Sequence, residues 1–352
     1  MSVIVPSYTY LYIRLISINQ LIMKEDNIES LRKIKDINHF LEYIRLFYPG
    51  LNLKNRTIVE IQRDLNCIYT KIIGKILSIS PINLQNFLKD YLLKYEIKNI
   101  KTLIINSIIG EPLETKKQKL NLIAEELIGN LDFIKELVKK SSLEEIQFYL
   151  RGTIYYQTVR EGIFHFKNTD EIFILVAFLD RLYFEILLRA KIGLDKKEKT
   201  IIGLYIDYLI ESYNLIAIYR GIKSKLEKNL LKQLLIENHL FLNSNKIDEL
   251  IQLNDISKFI ENLNEYFITL ELFKVSRKKV SITEKEFKRS IDDIYHTYFL
   301  NKFQNLIDDI KSITLFQVIE FLIKKKNEIN HEIYPSLLNI IHKKFENLKI
   351  EI

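Results

Sequence analysis

A glutamate three residues ahead of an asparagine, inside an otherwise apolar helix, is the pattern in this sequence that most needs a chemical explanation. Glu96 and Asn99 lie in Tyr91–Gly110, YLLKYEIKNIKTLIINSIIG, and Glu211 and Asn214 repeat the spacing 115 residues later. Residues three apart share one side of a helix. Leu92, Leu93, Ile97, Ile100, Leu103, Ile104 and Ile108 give the surrounding stretch the period of a helix with a buried face. A carboxylate and an amide in such surroundings need partners. Two uses fit: an interhelical hydrogen-bond network repeated along the chain, or the wall of a pore or socket that meets another protein. Glu328 holds the corresponding place near the C-terminus, with His331 where an asparagine is expected.

Other reactive residues form no recognisable centre. The six histidines, His39, His165, His239, His296, His331 and His342, are scattered, without HExxH spacing. His342 and Glu346 are four apart, a spacing commoner in surface pairs than in metal sites. Asp292-Asp293 and Asp308-Asp309 point about 100° apart on a helix and read as a solvated face. Gly193–Thr200, GLDKKEKT, lacks the second glycine of a phosphate-binding loop and reads as a charged turn. No cofactor, metal or catalytic residue is expected. Cys67 is the single cysteine, so no intramolecular disulfide is possible, and its apolar neighbours mark it as a packing residue.

The elements that must position the glutamates are helices. Five prolines and nine glycines in 352 residues leave few turn signals, and 47% hydrophobic residues supply a sizeable core. The net charge of +7 suits a lysine-rich solvated surface. The densest basic run, Lys274–Arg289, is interrupted by Glu284 and Glu286, and no nucleic-acid-binding motif accompanies it, so no nucleic-acid partner is expected. The longest stretches free of Asp, Glu, Lys and Arg are 13 residues, short of the roughly 18 that span a membrane, and no signal peptide is apparent.

Helical periodicity recurs almost throughout. Asp36 is placed to cap Ile37–Tyr48, and Ser80-Pro81 to start the helix that ends at Gly110. Leu113–Lys140 reads as helical and more charged, Ser142 and Glu145 as a capping box, and Thr169 or Asp170 as the cap of Ile172–Ile192. Lys199–Lys228 and Glu284–Leu306 are further long helices, and Ile163–Phe166 could form a short strand.

Three phrases recur in order. Ile37, Phe40, Ile44 and Phe47 share their offsets with Ile256, Phe259, Leu263 and Tyr266, and Leu143, Ile146 and Leu150 match three of them. An acid followed by an aromatic comes next, clearest in Asp180–Phe184, echoed at Asp292–Tyr295 and weakly at Asp64–Tyr69. Glu-x-x-Asn follows, with Asn99 35 residues after Asp64 and Asn214 34 after Asp180. A period of about 115 residues is too long for a solenoid unit of roughly 20–50. It predicts an all-α protein of three similar modules, 1–112, 113–228 and 229–352.

The opening Tyr8-x-Tyr10-x-x-x-Arg14, Leu179–Phe184 (LDRLYF), Tyr95–Leu103 (YEIKNIKTL) and Asn214-Leu215-x-x-x-x-Arg220-Gly221 together resemble the C subunit of archaeal and bacterial V-type ATP synthases, a relative of the d subunit of V-ATPases. The resemblance runs the length of the chain; His331 and the weak first acidic phrase depart from it. It implies three modules around a pseudo-threefold axis, forming a funnel. It also implies a non-catalytic rotor adaptor, monomeric within its complex. Such an adaptor joins central-stalk subunits to the membrane proteolipid ring, peripheral to the membrane on its cytoplasmic side. The other reading of the composition is a helical scaffold that binds protein or nucleic acid through a basic surface.

Overall fold

A computed structural model of the protein describes residues 7–54, 57–270, 281–304 and 308–350. It is all-α: among the described residues every regular element is a helix. The chain forms two compact units. One comprises Met1–Asn106, Glu111–Lys139 and Asp308–Ile352; the other comprises Ser107–Gly110 and Lys140–Ile307.

The first unit opens with α1 (Ser7–Asn19), α2 (Glu25–Lys33) and α3 (Ile37–Arg45), followed by the long α4 (Ile58–Ile79) and α5 (Ile82–Ile108). Asp36 caps α3 as its sequence position predicts, accepting from the His39 amide at 2.9 Å. Ser80 does not start α5. Its hydroxyl donates back to the Ile76 carbonyl at 2.7 Å, so it closes α4, and the Pro81 carbonyl accepts the first α5 hydrogen bond from Gln85 at 2.8 Å. Gly110 ends α5's run with a φ of 70°, a conformation that glycine adopts without Cβ strain.

The helical stretch expected over Leu113–Lys140 is divided into three helices, α6 (Leu113–Gln118), α7 (Leu122–Ile128) and α8 (Leu131–Leu137). Asn121 breaks it by capping α7, accepting from the Ala124 amide at 3.2 Å. Gly129, with a φ of 87°, ends α7.

The second unit runs from α9 (Leu143–Tyr149) through α10 (Tyr156–Thr169) and α11 (Ile172–Ala190) to α12 (Lys196–Glu198). A π-helical turn, Lys199–Gly203, leads into α13 (Leu204–Lys223), then α14 (Lys228–Gln233), α15 (Ser244–Gln252), α16 (Ile256–Thr269) and α17 (Phe287–Gln304). Ser142 accepts from the Glu145 amide at 3.2 Å, but Glu145 turns to Ser141 instead of completing the box. Ile163–Phe166 is part of α10, not a strand. Gly162 lets α10 lie close on α11; a Cβ there would meet Leu175 side-chain and backbone atoms at 2.9–3.0 Å. Asp170 closes α10 in the left-handed conformation and does not cap α11. The Gly193–Thr200 turn is ordered by Asp195, which accepts from the Lys197 and Glu198 amides.

The chain then returns to the first unit as α18 (Ile310–Asn327), a π-helical turn Glu328–Ile333, and α19 (Tyr334–Ile350). α18 packs on α1, and α19 packs on α3 and α4. One helical run, Lys196–Lys223, is long and apolar enough to span a membrane, which the count of uncharged stretches did not foresee. Of its most apolar window 78% is buried inside the protein, so that apolarity belongs to a core helix. Residues 274–280 of the basic run and 305–306 of the expected Glu284–Leu306 helix lie outside the described residues.

Candidate functional site: three buried carboxylates and their ties

Each predicted glutamate is buried, and each reaches a distant stretch of chain. Helix α5 turns Glu96 and Asn99 inward, at 1% and 2% exposure. The Asn99 carboxamide clasps the backbone of Asn121: its Oδ1 accepts from the Asn121 amide at 2.9 Å and its Nδ2 donates to the Asn121 carbonyl at 3.2 Å. The same Nδ2 donates to Glu125 Oε1 at 2.6 Å. Glu96 accepts from Asn130 Nδ2 at 2.6 Å. Two carboxyls therefore share one pocket. Burial, then the charge of Glu96 beside it, raises the Glu125 carboxyl to about 9, although the Asn99 hydrogen bond pulls the other way. Glu125 thus carries a proton at neutral pH.

On α13, Asn214 repeats the clasp at the same separation. It accepts from the Ile236 amide at 3.0 Å and donates to the Ile236 carbonyl at 2.8 Å. Glu211 meets a different environment. Its carboxylate accepts from the amides of Leu240, Phe241 and Leu242 at 2.8–3.1 Å and from the Tyr295 hydroxyl at 2.6 Å. Burial pushes this carboxyl up, while Tyr295 and the amides pull it back. Tyr295 is held by stacking on Tyr208, with ring centroids 5.3 Å apart and planes 13° apart.

Glu328 starts the π-helical turn after α18. It accepts from the Met23 amide at 2.7 Å, the Tyr48 hydroxyl at 3.1 Å and Lys325 Nζ at 2.7 Å. Lys325 also donates to the Leu21 carbonyl and sits 3.8 Å from the centre of the Tyr48 ring. Burial raises the Glu328 carboxyl and lowers the Lys325 ammonium, and each opposes the other's shift. His331 lies half-buried in the same turn. A third asparagine clasp exists elsewhere, from Asn264 to the Ile282 amide and carbonyl at 2.8 and 3.0 Å.

Five partner residues carry no mark in the sequence pattern, Tyr48, Asn121, Glu125, Asn130 and Lys325, whereas Tyr295 is the aromatic of the phrase Asp292–Tyr295. The constant step of 22 from Asn99 to Asn121 and from Asn214 to Ile236 is the one signal that could have pointed to the clasps. Asp292 departs from the solvated-face reading. It is 3% exposed, and the Tyr208 hydroxyl lies 3.5 Å from its Oδ1. Asp309 caps α18 through the Ser312 amide at 2.8 Å. Among the described residues no group of three or more His, Cys, Asp or Glu is gathered to hold a metal; the side chain of Glu346, paired with His342 above, lies outside them.

The profile of the family described as "ATP synthase (C/AC39) subunit" matches residues 17–331, and so takes in all three glutamates. The chain belongs to the ATP synthase (C/AC39) subunit family. Curated relatives are named as the C subunit of A-type ATP synthase. That of Methanocaldococcus jannaschii is 28% identical over 83% of this chain and 70% of its own length. Those of Methanococcoides burtonii and Pyrococcus furiosus are 24% and 22% identical, over 87% and 92% of this chain and 78% and 84% of theirs. The resemblance read from YEIKNIKTL and its companion strings is therefore correct. In this C/AC39 subunit the helix that carries YEIKNIKTL is also the one that carries the first carboxylate tie.

Proposed function

We propose that this C/AC39 subunit is the rotor adaptor of an A/V-type ATP synthase. It joins central-stalk subunits to the membrane proteolipid ring and transmits torque without catalysing a reaction. In this reading it works as a single copy, peripheral to the membrane on the cytoplasmic side, with its three modules set around a pseudo-threefold axis. The family match over residues 17–331 carries the proposal.

The ties fit a torque-bearing role. Torque passes through a body only as far as its helices resist sliding, and a buried, fully bonded polar contact fixes register more sharply than apolar packing. Glu96 fastens α5 to Asn130, Glu211 fastens α13 to Leu240–Leu242, and Glu328 fastens the end of the chain to Met23. In terms of the proposed modules, each glutamate holds the first part of the next module, and the last holds the first. Glu96, Asn99, Glu211, Asn214 and Glu328 are then internal fasteners and not a socket wall.

The test is purification of the tagged chain, expressed at native level, from mildly solubilised membranes. Proteolipid and stalk subunits are expected to copurify in stoichiometric amounts. A chain recovered without them, or retained on DNA or RNA in a salt-dependent way, would overturn the reading in favour of a helical scaffold.

A further inference from the structure

A half-enclosed cavity of about 290 Å³ opens in the second unit where α13 gives way to α14, lined by Gly221, Ile222, Leu231, Ile251 and Leu253, with Lys225, Lys228 and Asn254 at its edge. The floor is apolar and the rim is cationic. Lys228 is already engaged, donating to the carbonyl and side-chain oxygen of Gln252 at 2.9 and 3.0 Å. Lys225 is exposed, and among the described residues it has no ion-pair or hydrogen-bond partner for its ammonium.

The backbone at Lys225 is unusual. The amide of Leu226 bonds the Gly221 carbonyl at 2.8 Å and that of Lys225 bonds the Ile222 carbonyl at 3.1 Å. That pattern ends a helix with a left-handed residue, a place glycine normally fills. Gly50, Gly110, Gly129 and Gly152 fill the other positive-φ positions of the described chain, apart from Asp170. Lys225 adopts a φ of 53° there despite its Cβ. Strain kept at the mouth of a cavity points to a side chain needed at that place.

We propose that this cavity binds a medium-chain fatty carboxylate, with its alkyl chain on Ile222, Leu231, Ile251 and Leu253 and its carboxylate on the Lys225 ammonium. The volume is at the lower end of the roughly 300–1,000 Å³ of small-molecule sites. At about 30 Å³ for each water-sized group it accommodates about ten of them, which matches decanoate. The charge decides the head group: a free ammonium over an apolar floor complements an anion with an apolar tail.

Isothermal titration of the full chain with decanoate, below its micelle threshold, tests this. One saturable site is expected. Lys225→Gly should weaken binding about tenfold or more, the loss of one charge-assisted contact. Because glycine suits the left-handed position, that variant should melt at an unchanged or higher temperature, which separates lost binding from lost folding. Methyl decanoate, with the same tail and no charge, should bind as weakly to the wild type as decanoate binds to the variant. Equal affinity for acid and ester, wild-type affinity in Lys225→Gly, or preference for a peptide ending in a free leucine carboxylate would each overturn the assignment.

Discussion

The surroundings of Glu96 and Glu211 share a sequence phrase and differ in chemistry. Asn99 and Asn214 do the same work, each clasping the backbone of the residue 22 positions on. The glutamates do not. Glu211 is met by three backbone amides and a phenol, donors that stabilise a charge where it stands. Glu96 shares its pocket with a second acid, and a proton on Glu125 removes the conflict. A repeated residue type therefore preserves a tie without preserving how its charge is neutralised. Glu328 shows a third solution, a buried lysine.

Substitutions can break or sharpen this contrast. The largest effect belongs where a charge would be stranded. Lys325→Met is expected to cost about 3–5 kcal/mol in urea unfolding, and adding Glu328→Gln should recover much of it. Equal stability of the single and double variants would deny Lys325 its neutralising role. Glu211→Leu leaves the amides of Leu240, Phe241 and Leu242 and the Tyr295 hydroxyl without an acceptor, an expected loss of about 3 kcal/mol. Tyr295→Phe removes one donor and keeps the ring stack, for about 1.5 kcal/mol; no measurable loss would mean that the amides alone hold Glu211.

A last substitution separates the two regions most cleanly, because its effect depends on pH. Glu125 holds its proton to about 9 when folded, against an ordinary 4.5. Between those values the folded chain binds the extra proton, so this group's contribution to stability falls as pH rises across that window. Glu125→Gln cannot ionise. It is expected to stabilise the chain progressively as pH rises from 5 to 8, by on the order of a few kcal/mol at pH 8 and little near pH 5. Thermal melts at both values check it, and a variant that is less stable at pH 8 would refute the proton on Glu125.

Local chemistry explains what could be read in advance. The Asp36 cap and the Gly110 stop depend on neighbours within a turn, so the string predicts them. Ser80 had two acceptable partners within reach and took the Ile76 carbonyl. Leu113–Lys140 keeps a helical apolar period through Asn121 and Gly129; the first break falls where Asn121 caps α7 and is clasped by Asn99, and the second where Gly129 turns left-handed. Glu96 and Glu211 stood out because a carboxylate in an apolar helix is costly wherever it points. Apart from Tyr295, their partners did not stand out. Backbone amides carry no residue signature, and Glu125 and Asn130 look like ordinary surface residues of short charged helices until the fold buries the first and aims the second.

The hydrogen bond from the Met23 amide to Glu328 spans 305 residues, and it gives the chain an order of assembly on the ribosome. Residues 140–307 belong to the second unit and are complete before any of α18 is made. At about 5–20 residues per second, roughly 10–40 s pass between synthesis of Lys139 and of Glu328. During that interval α1, α3 and α4 expose the faces that α18 and α19 will cover. The first helices to be translated are thus among the last to be finished, and nascent chains stalled before Asp308 should show protease resistance in the second unit while the N-terminal helices are still cut.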